Sequence, residues 1–278
     1  MLMLESIIAI VAGLLIGSFL NVCIYRMPRD ISVVRPRSFC PHCEHPIAWY
    51  DNVPMVSYFV LRRRCRYCRA AIPWRYLVVE FFTAVLFFAV VHALGLTAAA
   101  ARLCLLMALL VGLTFADLEE RFLPEEFTIG GMLVGLVFAC FVPVDDMIAH
   151  ALLGAFGVHW TERWMSLAES VLGAAMPAGF LWLGGLVFEK LRHKEGLGLG
   201  DVWMMAMLGS FLGLRATLLT LVVGSILGSV IGFVYILATR KQAGTYQLPF
   251  GTFLGFAGIL VALSGQQVID WYVRNWCS

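Results

Sequence analysis

Charge is scarce in this sequence. Asp, Glu, Lys and Arg make up only 14% of its 278 residues, against 61% hydrophobic residues and a mean hydropathy of +0.86. One soluble core cannot enclose that much apolar surface, so the chain is expected to reside in a lipid bilayer. The net charge is only +2, which gives no reason to expect a nucleic-acid partner. The opening stretch MLMLES has no Lys or Arg before the first apolar run, and Arg26 and Arg29 come after it. A cleavable secretory signal has the opposite arrangement, so this run is expected to remain as an anchor. There is also no long low-complexity linker and no strong internal repeat.

Long apolar runs are abundant. Those able to cross about 30 Å of hydrocarbon lie near residues 6–25, 77–95, 99–116, 127–143, 171–189, 217–238 and 252–273, with a shorter one at 202–214. The basic residues decide whether the short run crosses. If it does, and the N-terminus faces out, loops 26–76, 117–126, 190–201 and 239–250 share the cytoplasmic side and carry sixteen of the twenty Lys and Arg. Arg102, Arg163, Arg215 and Arg274 fall outside. Merging 202–238 into one crossing would move Arg240 and Lys241 outward, so the positive-inside bias favours eight crossings. In the outer segment 144–170, Trp160 and Trp164 stand one helical turn apart with Leu167 continuing that face, a pattern expected of an interfacial helix.

The reading is therefore an all-α integral membrane protein of about eight transmembrane helices. Residues 1–25 form the first crossing, 26–76 a small cytoplasmic loop domain and 77–278 the remaining polytopic part.

That loop contains SFCPHC and RRRCRYCR, so Cys40, Cys43, Cys65 and Cys68 form a C-x2-C-x21-C-x2-C pattern. On a reducing side persistent disulfides are rare. Each pair lets two thiolates from one tight turn reach the same ion, and two such turns complete a tetrahedral zinc site. Four sulfurs leave no position for water, so the zinc is expected to be structural. His42 and His45 are expected at the surface. The loop has ten Arg, three acidic residues and six prolines and is expected to have little apolar core of its own, so it needs the ion as a staple. Its arginines suit either anionic lipid or an anionic substrate or cofactor. Cys23, Cys104 and Cys140 lie in apolar runs and are expected to be small core residues.

Two acids mark the inner edge of the membrane. Asp117, in LTFADLEERFLPEEFT, follows the third long run, and Asp201, in KEGLGLGDVWMMAMLG, stands just before an apolar helix. Asp201 read alone is an N-cap and Asp117 an ordinary helix-end acid. GLGLGD touches the phosphate-loop patterns, but no strand precedes it. If the two carboxyls meet, like charges cannot both ionise easily, and the pair holds one proton between them, the arrangement that hydrolyses a peptide without metal. Because Asp201 begins a helix and Asp117 ends one, the helix dipoles favour Asp201 as the ionised member.

These stretches together resemble the bacterial type IV prepilin peptidases. GSFLNVCIYRMP at 17–28 is similar to the family's opening signature, 38–84 to its cysteine loop, DLEERFLPEEFT and GLGLGD to its aspartate motifs, and LPFGTFLGFAG at 248–258 to its last motif. The resemblance implies that Asp117 and Asp201 are the catalytic pair of an integral-membrane aspartic peptidase in the bacterial inner membrane, with its active site facing the cytoplasm. It implies prepilin or pseudopilin substrates cut after a glycine behind a basic leader. It further implies N-methylation of the new terminus with S-adenosylmethionine, a second activity linked to the cysteine loop, although no S-adenosylmethionine motif stands out in the residues. A transporter whose zinc loop docks a partner, or a methyltransferase without peptidase action, are the competing readings. Transporters usually place their ionisable groups near the bilayer midplane, whereas these two acids fall at its inner edge.

Overall fold

A computed structural model describes residues 2–144, 148–149, 151, 161–192, 198–239 and 249–276. Trp160, Cys277, residues 193–197 (Gly196 among them) and residues 240–248 lie outside the described residues. Among the described residues every regular element is helical: α1 (Leu2–Arg26), α2 (Val56–Val60), α3 (Arg75–Leu94), α4 (Ala98–Glu120), α5 (Glu125–Ala139), α6 (Glu162–Arg192), α7 (Leu199–Thr239) and α8 (Phe250–Trp276). Five stretches are long and apolar enough to cross a membrane: Met3–Arg29, Arg75–Leu94, Ala98–Glu120, Glu162–Arg192 and Leu199–Tyr235. The apolar part of α8, Phe250–Gly265, is shorter. The chain divides into two units, Met1–Ala116 and Asp117–Ser278.

In the first unit α1 lies along α3. A Cβ at Gly13 would stand 2.6 Å from the Ala84 Cα, and one at Gly17 would stand 2.7 Å from the Glu80 Cα. Small residues let two helix backbones touch where no water drives them together. Asn21 reinforces the seam by donating from Nδ2 to the Tyr76 carbonyl at 3.1 Å. Ile7, Val11, Leu15 and Phe19 form an exposed stripe on α1, as do Phe81, Val85 and Phe88 on α3. Such stripes suit hydrocarbon as a solvent.

The segment between α1 and α3 is short of helix, as its prolines require. Arg26, only 3% exposed, holds its first part together. Its guanidinium donates to the carbonyls of Ser32 at 2.8 Å, Pro36 at 2.9 Å and Arg37 at 3.2 Å. Glu80 anchors the middle from α3, where Oε2 accepts the Met55 N–H at 2.6 Å.

In the second unit α6 and α7 meet backbone to backbone. A Cβ at Gly173 would stand 2.6 Å from the Gly209 carbonyl oxygen, and one at Gly209 would overlap the Gly173 carbonyl. Ser170 adds a bond from its hydroxyl to the Ser210 carbonyl at 2.5 Å. Met204, Met205, Met207 and Leu208 are fully buried beside this seam. The 41 residues of α7 would measure about 60 Å as one straight helix, twice the hydrocarbon thickness. The helix breaks at Gly213, whose φ of 79° and ψ of −178° belong to no helix and are open only to glycine. The two sides of that break match the apolar runs 202–214 and 217–238.

One element is longer than its run. α6 starts at Glu162, so Trp164 and Leu167 belong to the long helix itself and not to a separate interfacial one. Nothing between Glu162 and Arg192 stops the helix. Pro177 lies buried inside it.

Candidate active site and metal centre

Asp117 occupies the last turn of α4 and is 5% exposed. Arg121 follows in the left-handed region at φ 52°, closing the helix with its N–H on the Asp117 carbonyl at 2.9 Å. The Asp117 side chain meets a distant part of the chain. Its Oδ2 accepts the backbone N–H of Thr252 at 2.6 Å and the Thr252 hydroxyl at 2.8 Å. Thr252 is the third residue of α8, and the first amides of a helix have no partner within it. Asp117 supplies that partner.

Asp201 is the third residue of α7 rather than the residue before it, because the helix begins two positions earlier at Leu199. Its N–H reaches back to the Gly198 carbonyl at 3.1 Å. Its side chain is half-buried and lies within the electrostatic reach of the Asp117 carboxylate.

Leu123, in the short link between α4 and α5, packs over both glycines that neighbour these groups. A Cβ at Gly200 would stand 3.0 Å from the Leu123 Cβ, and one at Gly251 would stand 3.0 Å from its Cδ1 and 3.2 Å from the Asp117 Cγ. Three segments remote in sequence, 117–123, 200–201 and 251–252, are thereby gathered at one place. Leu123, Gly251 and Thr252 had no role in the sequence reading. The LPFGTFLGFAG stretch was visible as a motif, but the helix start that aims Thr252 at Asp117 was not. Glu119 and Glu120 are exposed.

The four loop thiols come together as their spacing predicts. In the first turn Cys40 N–H bonds the His45 carbonyl at 3.0 Å and Glu44 N–H bonds the Cys40 carbonyl at 2.8 Å. In the second, Cys65 N–H bonds the Ala70 carbonyl at 2.8 Å and Arg69 N–H bonds the Cys65 carbonyl at 3.1 Å. Single antiparallel bridges, Phe39 with Pro46 and Arg64 with Ala71, close both turns. Glu44 and Arg69 take the same left-handed position, at φ 56° and 60°. The His45 ring lies 3.6 Å from the Tyr67 ring, linking one turn to the other, and His42 and His45 are exposed as expected.

All four Sγ atoms lie within 4.8 Å of one another. Cys40 and Cys68 are 3.8 Å apart, the edge of a tetrahedron whose metal–sulfur bonds are about 2.3 Å. The residues fit a metal ion. Their electrostatics point the same way: the Cys68 backbone N–H helps bring the Cys65 thiol down to about 7. At Cys68 the Ala70 hydrogen bond acts in that direction too, but burial and the thiols of Cys43, Cys65 and Cys40 outweigh it and push the group up to about 11. Four thiols this close resist common ionisation unless a cation neutralises them. Elsewhere, Cys23 and Cys104 are buried in their helices and Cys140 is partly so.

Apolar helices of membrane length, two acids near helix ends and a cluster of four thiols mark a multi-pass membrane protein with a loop whose cysteines are positioned to hold a metal ion. Residues 11–94 match the bacterial peptidase A24 N-terminal domain, and residues 104–233 match the type IV leader peptidase family. The chain belongs to the type IV leader peptidase family. Among curated relatives, a prepilin leader peptidase/N-methyltransferase of Myxococcus xanthus is 41% identical over 86% of this chain and 65% of its own length. Proteins of the same name from Aeromonas hydrophila and Pseudomonas aeruginosa are 36% and 30% identical, each over 95% of this chain and 92% of theirs. No solved structure matches the chain.

Proposed function

We propose that this chain is a membrane aspartic endopeptidase that removes the basic leader of prepilins or pseudopilins at the cytoplasmic face of the bacterial inner membrane. It also N-methylates the new terminus, with S-adenosylmethionine as methyl donor. Asp117 and Asp201 are the catalytic pair. The observation that supports this reading is that the segments carrying the two acids, remote in sequence, are drawn together around Leu123, Gly200 and Gly251, with Asp201 inside the electrostatic reach of Asp117, together with the name shared by the curated relatives.

Two neighbouring carboxyls holding one proton between them can do the whole of peptide hydrolysis. The ionised carboxylate takes a proton from water as the oxygen adds to the scissile carbonyl carbon, and the protonated one gives its proton to the carbonyl oxygen. Collapse of the resulting diol breaks the C–N bond, protonates the leaving amine and returns a proton to the second carboxyl. One water is consumed, leaving a carboxylate on the leader and an amine on the pilin.

In this reading the chain crosses the membrane eight times, with both halves of α7 counted separately across Gly213. Residues 1–25 are the first crossing, 26–76 the cytoplasmic thiol domain and 77–278 the peptidase part. Cys40, Cys43, Cys65 and Cys68 hold a structural zinc, which adds a rigid centre to a loop with little apolar core.

The test is cleavage of a synthetic prepilin peptide by the purified protein in detergent, followed by mass for loss of the leader and then for an added methyl group. Asp117→Asn and Asp201→Asn should each lower cleavage by at least about a hundredfold. Native-rate cleavage by either variant overturns the assignment.

A further inference from the structure

An ionised carboxylate only accepts hydrogen bonds, whereas a protonated one must also donate. The surroundings of Asp117 therefore bear on which member of the pair holds the proton. Its Oδ2 accepts the Thr252 N–H at 2.6 Å, and a backbone amide can only donate. The Thr252 hydroxyl makes a second bond to the same oxygen at 2.8 Å. Both residues are buried, Thr252 at 3% exposure, so these bonds do not compete with bulk water. The amide belongs to the first turn of α8, whose aligned dipoles place partial positive charge there. Arg121 adds a positive field from the end of α4, and Asp201 on α7 is the negative group that opposes it. Glu119 and Glu120, also on α4, are exposed. Among the described residues no hydrogen bond reaches the Asp201 carboxyl.

We propose that Thr252 is a positioning residue that holds Asp117 as the ionised member of the acidic pair and leaves the shared proton on Asp201. This rests on the aspartic-peptidase reading and reverses the expectation from sequence. That expectation weighed the ends of α4 and α7, the helices that carry the two acids. The deciding helix is α8, which carries neither and points its first turn at Asp117. With Oδ2 held by Thr252, Oδ1 faces the water and takes its proton, while Asp201 protonates the carbonyl oxygen. When the diol collapses, the Asp117 proton goes to the leaving amine and a diol hydroxyl proton returns to Asp201.

Thr252→Val keeps the side-chain shape and the backbone bond but removes the hydroxyl donor. In full-length protein it should move the acidic limb of the kcat/KM profile for prepilin peptide to higher pH by about one unit, the size expected for one hydrogen bond to a charged group. Thr252→Ser should restore the original limb. A Thr252→Val enzyme slowed with its acidic limb unmoved would reduce Thr252 to a packing role and overturn the proposal. A second measurement needs no activity: the infrared band of a protonated carboxyl at neutral pH should vanish in Asp201→Asn and persist in Asp117→Asn, and the reverse pattern overturns the proposal. If instead Asp117→Asn cleaves at the native rate, the peptidase reading itself has failed.

Discussion

Gly173 and Gly209 touch through their backbones, with the carbonyl of each lying where the other's Cβ would be. No rotamer change can relieve a methyl group placed there, because its neighbour is main chain. The helices α6 and α7 must separate instead, moving Ser170 away from Ser210 and opening the layer of methionines beside them.

Gly209→Ala should therefore destabilise the protein by about 3 kcal/mol or more, the upper range for overpacking. Gly184→Ala is the matched control, since a Cβ there meets nothing within 4 Å. Thermal unfolding in detergent should show a clear loss for the first variant and little change or a small gain for the second. Equal behaviour of the two would contradict the packing described for α6 and α7.

Replacing any one of Cys40, Cys43, Cys65 or Cys68 by Ser should reduce bound zinc from about one per chain to little, because three thiolates leave a structural site open. Metal analysis of the purified variants measures this directly. Limited proteolysis should then cut within residues 26–76, since these turns have few apolar contacts to replace the ion. Stripping zinc from the native protein should depress methylation more than leader cleavage, and equal loss of both would refute that division of labour.

Asp51 and Arg66 tie the middle of this loop to its second thiol turn. Arg66 donates from Nε at 2.6 Å and from its terminal nitrogen at 2.5 Å, and this pairing holds the Asp51 carboxyl below its usual range. A carboxylate lowered on folding stabilises above its unfolded value, and the contribution disappears as pH falls through the folded value. Protection of the loop from protease should accordingly be constant near neutrality and fall below about pH 4. Asp51→Asn should weaken protection at neutral pH and flatten that acid dependence. An unchanged acid dependence in this variant would show that another group sets it.

Arg26→Lys tests the planar fork. A lysine ammonium cannot reach the three carbonyls of Ser32, Pro36 and Arg37 in one geometry, and leaving buried carbonyls unpaired costs about 1–3 kcal/mol. Amide exchange should accelerate across residues 27–39 while the amides of α3 keep their protection. Native-like exchange in the loop would mean that the guanidinium contacts carry little.

Much of this was legible in the sequence because hydropathy and membrane thickness act locally. The runs at 77–95 and 99–116 became α3 and α4 almost residue for residue, and the break at Gly213 falls within two residues of the pause between the runs 202–214 and 217–238. The thiol turns were legible for the same reason, since C-x2-C sets its own geometry. Thr252 was not, because its importance lies in a bond to a residue 135 positions earlier. Leu123 looked like an ordinary apolar residue beside Pro124. Only the positions of Gly200 and Gly251 reveal what it packs against.

The bond from Thr252 to Asp117 also has a consequence in time. The chain is synthesised from its N-terminus, so Asp117 enters the membrane well before its hydrogen-bond partner leaves the ribosome. Until the final helix inserts, that carboxyl lacks both of its Thr252 donors. On the proposal that Thr252 keeps Asp117 ionised, the acidic pair would take up its final proton arrangement only once the last helix is in place.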